Sequence, residues 1–339
     1  MQGLRIELDQ IAEHGNLLRA AWLATRGRQR RPAAARLLAD LDARLDALGQ
    51  RIRAGQAPVG EQRQFVIHDP KRRLITAACL DDRVLHHAIL NLAGPRFEQA
   101  LVASSYACRP GKGVHAAVAA LQQQLRRAPW AVQVDVDGYF PSIPHASLLA
   151  LLARRFKGPA FLALLARIVA AGAAPGASLG LPIGALTSQH FANAYLGSAD
   201  RLLLAHPGVA GQVRYMDDIA WLCRSRDAAQ DSLAALREHL HTALGLRLKA
   251  GVVLRPSAQG LAFCGFRVRP GLVLAGHRKL RRYRAAVLRL QAGQAAGHDE
   301  ADLQRAHDAA LATLAGSQTL HWRQGLWADA GVPPQAVPL

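Results

Sequence analysis

Residues 212–215 and 219–223 read as two short apolar strands flanking Met216-Asp217-Asp218, and residues 131–136 as a third that carries Asp135 near its end. The acidic link makes the first pair a hairpin with acids at its turn. This pattern constrains the fold more than any other feature of the chain. A sheet has to form, and its strand ends have to carry carboxylates. A carboxylate at the tip of an apolar strand is a common place for a site. Taken alone, Asp-Asp in a turn is ordinary turn chemistry and solvation, so the neighbouring residues decide.

The remaining segments supply mostly helices. Residues 4–55 look helical, with helix-spaced leucines on one face of 37–45. A polar link covers 54–64, and Phe65-Val66-Ile67 reads as a strand ended by Asp69-Pro70. Helices are expected at 81–99, 114–127, 187–204 and 228–244, with a leucine-rich helical region at 148–172. Residues 172–184 are a loop rich in glycine and proline, and 261–268 are strand-like around Gly265. The tail 278–327 is basic and mostly helical, and the proline-rich residues after Val332 are expected to be loose. Strands and helices alternating in the middle, with helical regions at both ends, give an α+β core with helical additions.

Half of the 339 residues are hydrophobic, which marks a globular chain. The greasiest stretch, 161–174, is interrupted by Arg167 and is too short to span a bilayer. Residues 1–10 carry Glu7 and Asp9 and lack the apolar core of a signal peptide, so a cytoplasmic protein is the default expectation. Cys79, Cys108, Cys223 and Cys264 are scattered and read as small buried residues, not as a zinc cluster or disulfide framework. The net charge is +18, and only five of the 42 basic residues are lysine. So basic a surface attracts a polyanion, and the arginine fork suits phosphate. With no lipidation signal and no clear basic amphipathic helix, nucleic acid is the expected partner and a membrane is not.

Phosphoryl transfer by two divalent ions needs several carboxylates converging on one point, and magnesium prefers such hard oxygen donors. Asp135 at one strand end and Asp217-Asp218 in a hairpin have that form. Their surroundings carry a resemblance. Tyr215-Met216-Asp217-Asp218 resembles the tetrapeptide at the heart of reverse transcriptases, and the stretch from Asp135 to Ile143 resembles the family's first carboxylate motif. Further matches follow in the family's order. They are Asp69-Pro70-Lys71-Arg72-Arg73, the 82–89 helix, Ser105 to Gly113, Gly180-Leu181-Pro182-Ile183-Gly184 with Thr187-Ser188-Gln189, and Phe263-Cys264-Gly265-Phe266.

The resemblance implies an α+β right-hand polymerase fold with a ferredoxin-like antiparallel palm sheet, helical fingers and helical thumb. It divides the chain into an N-terminal helical extension (1–64), fingers (65–130), palm (131–268, with a fingers insertion about 146–178), and thumb with tail (269–339). Asp135 and Asp217 would ligate two Mg²⁺ ions, for which Mn²⁺ can substitute. Asp218 would assist, and the Val136 carbonyl would complete the site. Gly138, Tyr139, Phe140, Ile183 and Gly184 would meet the incoming nucleotide. Phe140 would lie under its sugar, although on the residues alone it reads as an ordinary core aromatic. Arg72 and Arg73 would grip the triphosphate, or form a solvated basic turn. Lys249 would stand near the pyrophosphate leaving group, or be a surface lysine. Lys71, Lys112, Ser188, Gln189, Tyr215, Met216, Cys264, Gly265, Phe266, Arg278 and Lys279 would meet template or primer. Asp137 is left out because the family usually has a basic or polar residue there. His86, His87 and His115 read as packing histidines.

An aliphatic Ile183 before the glycine and Ser188-Gln189 after it resemble the enzymes of diversity-generating retroelements. Those copy a template RNA into cDNA with errors at adenines, using dNTPs and working with a small basic accessory protein. The chain stops soon after a thumb-like segment, with no room for an endonuclease or RNase H module. The alternatives are an antiphage defence reverse transcriptase, which shares the same palm, and a non-catalytic RNA-binding scaffold.

Overall fold

The computed structural model describes residues 3–60, 62–68, 72–171, 176–295 and 299–328, with backbone alone at 62–77 (Val66 excepted) and at 294–295. Asp69-Pro70-Lys71 and the proline-rich end after Val332 lie outside the described residues. The chain divides into two compact units.

The first unit comprises Met1–Ala103, Val136–Arg201 and Leu236–Ala250. Its N-terminal part is helical as expected, in helices Leu8–Ile11, His14–Thr25, Pro32–Ala39 and Leu41–Arg53, but it opens on a two-residue strand, Leu4–Arg5. That strand pairs in parallel with Phe156–Lys157, which breaks the helical region expected at 148–172 into His145–Arg155 and Pro159–Ala170. The break is written in Gly158, at φ +105, where a Cβ would come 2.3 Å from the Ile6 carbonyl oxygen. The stretch 187–204 is likewise two helices, Leu186–Tyr195 and Gly197–Ala205.

Aromatic edges hold this unit's core. Phe97 stands 5.1 Å from Phe156 and 5.8 Å from Phe191, and Phe156 stands 5.7 Å from Phe161, all centroid to centroid. The long helix Leu80–Ala100 is the hub. Asn16 ties His14–Thr25 to it, donating to the Ala88 carbonyl at 3.2 Å and accepting from Asn91 at 2.8 Å. On the same helix, His86 Nε2 lies 3.2 Å from Asp82 Oδ1, an ion-pair contact without hydrogen-bond angle, and Nδ1 meets Thr187 Oγ1 at 2.9 Å. All three side chains are buried. His86 is thus a packing histidine, as expected, and it pins the first turn of Leu186–Tyr195. The hairpin Gln62–His68 with Arg72–Ala78 is antiparallel throughout.

The second unit comprises Ser104–Asp135, Leu202–Ala235 and Gly251–Leu339. It is built on a four-stranded antiparallel sheet in the order Val209–Tyr215, Asp218–Cys223, Trp130–Asp135, Val253–Pro256. Asp218–Cys223 is rich in Ile, Ala, Trp and Leu because both its faces are covered, while Trp130–Asp135 buries Ala131, Val132 and Val134 and leaves Gln133 and Asp135 half-buried. Residues 219–223 are all fully buried, and Trp221 Nε1 donates to Ser232 Oγ at 2.9 Å. Helix Val114–Leu125 covers the sheet through Ala117, Leu121 and Leu125.

A second, three-stranded antiparallel sheet follows: Leu261–Phe263, Phe266–Arg269 and Leu272–Ala275. The single strand-like segment expected at 261–268 is therefore a hairpin. Cys264 (φ 50) and Gly265 (φ 78) turn it in the left-handed region. The third strand is one the sequence reading lacks. Helices His277–Ala295, Glu300–Ala312 and Leu320–Ala328 complete the unit. They pack through Tyr283, whose hydroxyl receives a hydrogen bond from Trp327 Nε1 at 3.1 Å and meets His307 at 3.3 Å. Among the described residues no helix is long and apolar enough to cross a membrane.

The Thr187–His86 contact generates a stability prediction. Thr187→Val keeps the side-chain shape and leaves a buried imidazole nitrogen without its partner. It should cost about 1–3 kcal/mol in urea unfolding, and a loss under about 0.5 kcal/mol, the range of a neutral surface change, would refute that role for the pair.

Candidate active site

The antiparallel register decides where the acids lie. Asp135 is the direct cross-strand partner of Asp218, and Asp218 is also the partner of Tyr215 across the hairpin. The tight turn is therefore Met216-Asp217, and Asp218 is the first residue of its strand, not part of the link. Met216 sits at φ 56, a left-handed conformation that costs a side-chain-bearing residue energy. Arg214, fully buried, donates from Nη1 to the Met216 carbonyl at 3.0 Å. Its own backbone amide and carbonyl bond to Ser104 and Tyr106, each at 2.9 Å. The strained turn is held from below by a rigid neighbour.

All three aspartates are half-buried. Carboxylates directly opposite on neighbouring strands repel, and the effect shows in Asp217. Its carboxyl is pushed up to about 7 by burial first, then by a hydrogen bond and charge repulsion from Asp135, with Asp218 adding less. Both charged groups that raise it are carboxylates. Gln133 restrains Asp218: its Nε2 donates to Asp218 Oδ1 and to the Ala262 carbonyl, both at 2.8 Å. The sequence reading missed Gln133. The signal was there, since it stands two residues before Asp135 and so on the same strand face. Arg214 was missed too; its only mark was a cation inside a strand.

The donor set is made of hard oxygens and carries excess negative charge, which suits a divalent cation. As the side chains stand, no group of three or more Asp, Glu, His or Cys among the described residues is arranged to hold a metal ion. Val136 belongs to the first unit, where it bridges Leu248. The Asp137 amide bonds to the Arg247 carbonyl at 2.9 Å. In such a pair the Val136 carbonyl is not used in the pairing.

The other expected site residues fall into two groups. In the first unit, Gly138 (φ 49) opens the short helix Tyr139–Ser142, and Tyr139 is buried with its hydroxyl on the Ala192 carbonyl. Phe140 is half-buried. The Leu181 amide bonds to the Phe140 carbonyl and the Gly180 amide to the Ile143 carbonyl, each at 2.9 Å. Phe140 and the loop carrying Ile183 and Gly184 are thus adjacent. Gly184 and Gln189 line a cavity of about 560 Å³ with Arg28, Arg31, Arg83 and His87. His87 was read as a packing histidine, and the three arginines were not singled out as site residues. Burial, then Arg83 and His86, lowers His87 to about 4. Ser188 is fully buried, and Lys249 is exposed beside Leu248. Lys71 and the side chains of Arg72 and Arg73 lie outside the described residues.

In the second unit, Lys112 donates to the Ser105 carbonyl at 3.2 Å and lies over the Tyr106 ring. Tyr215 is half-buried beside the acids. Lys279 lies 4.2 Å over Phe266 and donates to the Thr313 carbonyl at 3.2 Å. Burial lowers its pKa and raises that of Cys264. Gly265 leaves room for Lys279, since a Cβ there would stand 3.0 Å from Lys279 Cε. Arg278, Arg281, Arg282 and Arg284 are exposed on the helix His277–Ala295.

The raised Asp217 carboxyl has a stability consequence. An unfolded aspartate titrates near 3.9, so the folded chain favours the protonated form. That stabilisation is complete below about pH 4 and is lost as pH rises through about 7. Asp217→Asn, a mimic of the neutral form, should match the wild type near pH 4. At pH 8 without divalent ions it should be more stable by on the order of 1–3 kcal/mol, given about 1.4 kcal/mol per pKa unit. Urea unfolding at both pH values measures this, and equal stabilities at pH 8 would contradict the repulsion.

Comparison with known proteins bears on the same region. Residues 67–251 match the family model "Reverse transcriptase (RNA-dependent DNA polymerase)". Protein YkfC of Escherichia coli (strain K12) is 29% identical over 143 residues, covering 39% of this chain and 38% of that protein. The group II intron-encoded protein LtrA of Lactococcus lactis subsp. cremoris is 24% identical over 139 residues, covering 40% of this chain and 23% of that protein. The chain thus spans well under half the length of these relatives. Apo telomerase from Candida tropicalis is similar over 63% of this chain and 47% of that one, at 10% identity and a TM-score of 0.44. The mix of helices with an antiparallel four-stranded sheet is the α+β class expected, and the family match carries the right-hand polymerase fold with it. Since the family match covers more than half of the residues and takes in all three acids, the chain belongs to the reverse transcriptase family.

Proposed function

We propose that this chain is an RNA-directed DNA polymerase, a template-copying nucleotidyltransferase with Asp135, Asp217 and Asp218 as its catalytic acids. One observation supports this above the rest: the register that sets Asp135 against Asp218, with Asp217 in the adjoining turn. Asp135, Asp217 and the Val136 carbonyl, with Asp218 assisting, would hold two Mg²⁺ ions. Bound there, the ions would offset charge on the attacking and leaving oxygens. The protein's own part is to hold and orient. Gln133 fixes Asp218, Arg214 fixes the turn, and Phe140 next to the Gly180–Gly184 loop offers a floor for a nucleotide sugar. Arg72 and Arg73 would take the triphosphate, and Lys249 the pyrophosphate side. Arg28, Arg31 and Arg83 around Gly184 and Gln189 supply cations for a template RNA backbone. The exposed arginines of His277–Ala295 would serve the template–product hybrid.

In this reading residues 65–130 act as fingers, 131–268 as palm and 269–339 as thumb, behind an N-terminal extension at 1–64. The diversity-generating subtype, with its small basic accessory protein, rests on Ile183. An aliphatic side chain there cannot exchange a hydrogen bond with the incoming nucleotide, which relaxes the check on pairing geometry.

Primer extension on a defined RNA template with dNTPs tests the main reading. Wild type should give Mg²⁺-dependent cDNA, with Mn²⁺ substituting. Asp135→Asn and Asp217→Asn should each lose at least about 10³-fold in rate, roughly 4 kcal/mol of barrier. An Asp217→Asn enzyme as fast as wild type would overturn the assignment.

Sequencing the products tests the subtype. Wild type should err more opposite adenine than opposite other bases, and Ile183→Gln should reduce that excess several-fold. Errors spread evenly over the four template bases would remove the diversity-generating reading and leave the polymerase reading intact.

A further inference from the structure

Arginine also gathers at a second place in the first unit. A cavity of about 440 Å³ is bounded by the helices His145–Arg155, Leu186–Tyr195 and Gly197–Ala205 and by Ala243 and Leu244. Arg154, Arg155 and Arg201 line it, with Ser147, Tyr195 and Ser198. No acidic side chain among the described residues lines it. The neighbouring Asp200 is fully buried and is not among the residues that line the cavity. Like charges gathered this closely repel. Burial, with Arg201, Arg154 and Arg96 in that order, lowers Arg155 to about 10. Arg155 Nη1 is also buried with no hydrogen-bond partner. A buried unpaired donor on a cation is costly, and an anion in the cavity would offset the charge that the three guanidiniums concentrate there.

The shape of the site narrows the anion. Planar guanidinium forks match phosphate oxygens in pairs. Ser198 Oγ is already held by His239 Nε2 at 2.9 Å, and the Tyr195 hydroxyl donates to the Leu244 carbonyl at 2.9 Å, so both are fixed in place. Ala150, Leu151, Ala243 and Leu244 give apolar walls. The volume exceeds that of a bare phosphate and suits a nucleotide-sized group. We propose that Arg154, Arg155 and Arg201 form a phosphate-binding site, separate from the acids, that takes a nucleotide phosphate, either free or within a single strand. The site stands independently of the polymerase reading.

The test uses the full chain in EDTA, so that no divalent ion recruits phosphate to the acids. Inorganic pyrophosphate is titrated by calorimetry, and a labelled ten-nucleotide single-stranded RNA by anisotropy over a range of salt. The variants are Arg155→Gln and the pair Arg154→Gln/Arg201→Gln, the latter two side chains being exposed. Arg36→Gln/Arg44→Gln, on exposed positions elsewhere, controls for net charge. Both site variants should weaken at least one probe tenfold or more, while the control stays within twofold of wild type. Loss of pyrophosphate binding alone identifies a free ligand. Loss of RNA binding, with a salt slope smaller by about one to two, identifies a strand. If the site variants bind both probes as wild type does, or the control loses as much as they do, the proposal falls.

Discussion

The site depends on two antiparallel strands keeping their register against the repulsion of the side chains they bring together. Asp135 and Asp218 face each other across Trp130–Asp135 and Asp218–Cys223, an arrangement that like charges disfavour. The sheet can hold it because residues 219–223 are fully buried and Val132 and Val134 are nearly so. A slip of one residue would move every one of those side chains to the wrong face. Hydrophobic burial over the length of the strands outweighs carboxylate repulsion at their ends. Burial first, then the hydrogen bond and charge of Asp135, raise the neighbouring Asp217, which holds its proton to about 7.

Polar anchoring around the acids follows from the same constraint. A turn with a non-glycine residue at positive φ stays only if its surroundings over-determine it. Arg214 does this, bonding to the Met216 carbonyl while its backbone is clamped by Ser104 and Tyr106. Gln133 links Asp218 to the Ala262 carbonyl, so the palm sheet and the smaller sheet share one side chain. In the other unit, buried His86 bonds Thr187 and sets the helix that carries Ser188 and Gln189. The arginine excess is not spread evenly: part of it lines two cavities in whose walls no acidic side chain stands among the described residues.

Much of this was legible in the sequence. The apolar alternation at 131–136 and the pair 212–215 and 219–223 named three of the four strands of the larger sheet to within two or three residues. The ordered motifs named the family and picked out the three aspartates that the register brings together. Gly158 was read through as helix, although a glycine there is what admits the close approach of the Ile6 carbonyl. The hairpin at Cys264-Gly265 was hidden because a cysteine at positive φ is not a turn signal, and the strand Leu272–Ala275 because an uninterrupted four-residue apolar run has no periodicity to read.

What the sequence by itself determined was local: which segments are strands or helices, and which residue types could do the chemistry. Tertiary structure alone decided that Asp218 opposes Asp135, that Gln133 and Arg214 serve the acids, and that Arg154, Arg155 and Arg201 share one cavity. Local propensity depends on neighbours along the chain. Register, burial and charge proximity depend on residues scores of positions away, and their energies exist only once the sheet and helices have packed.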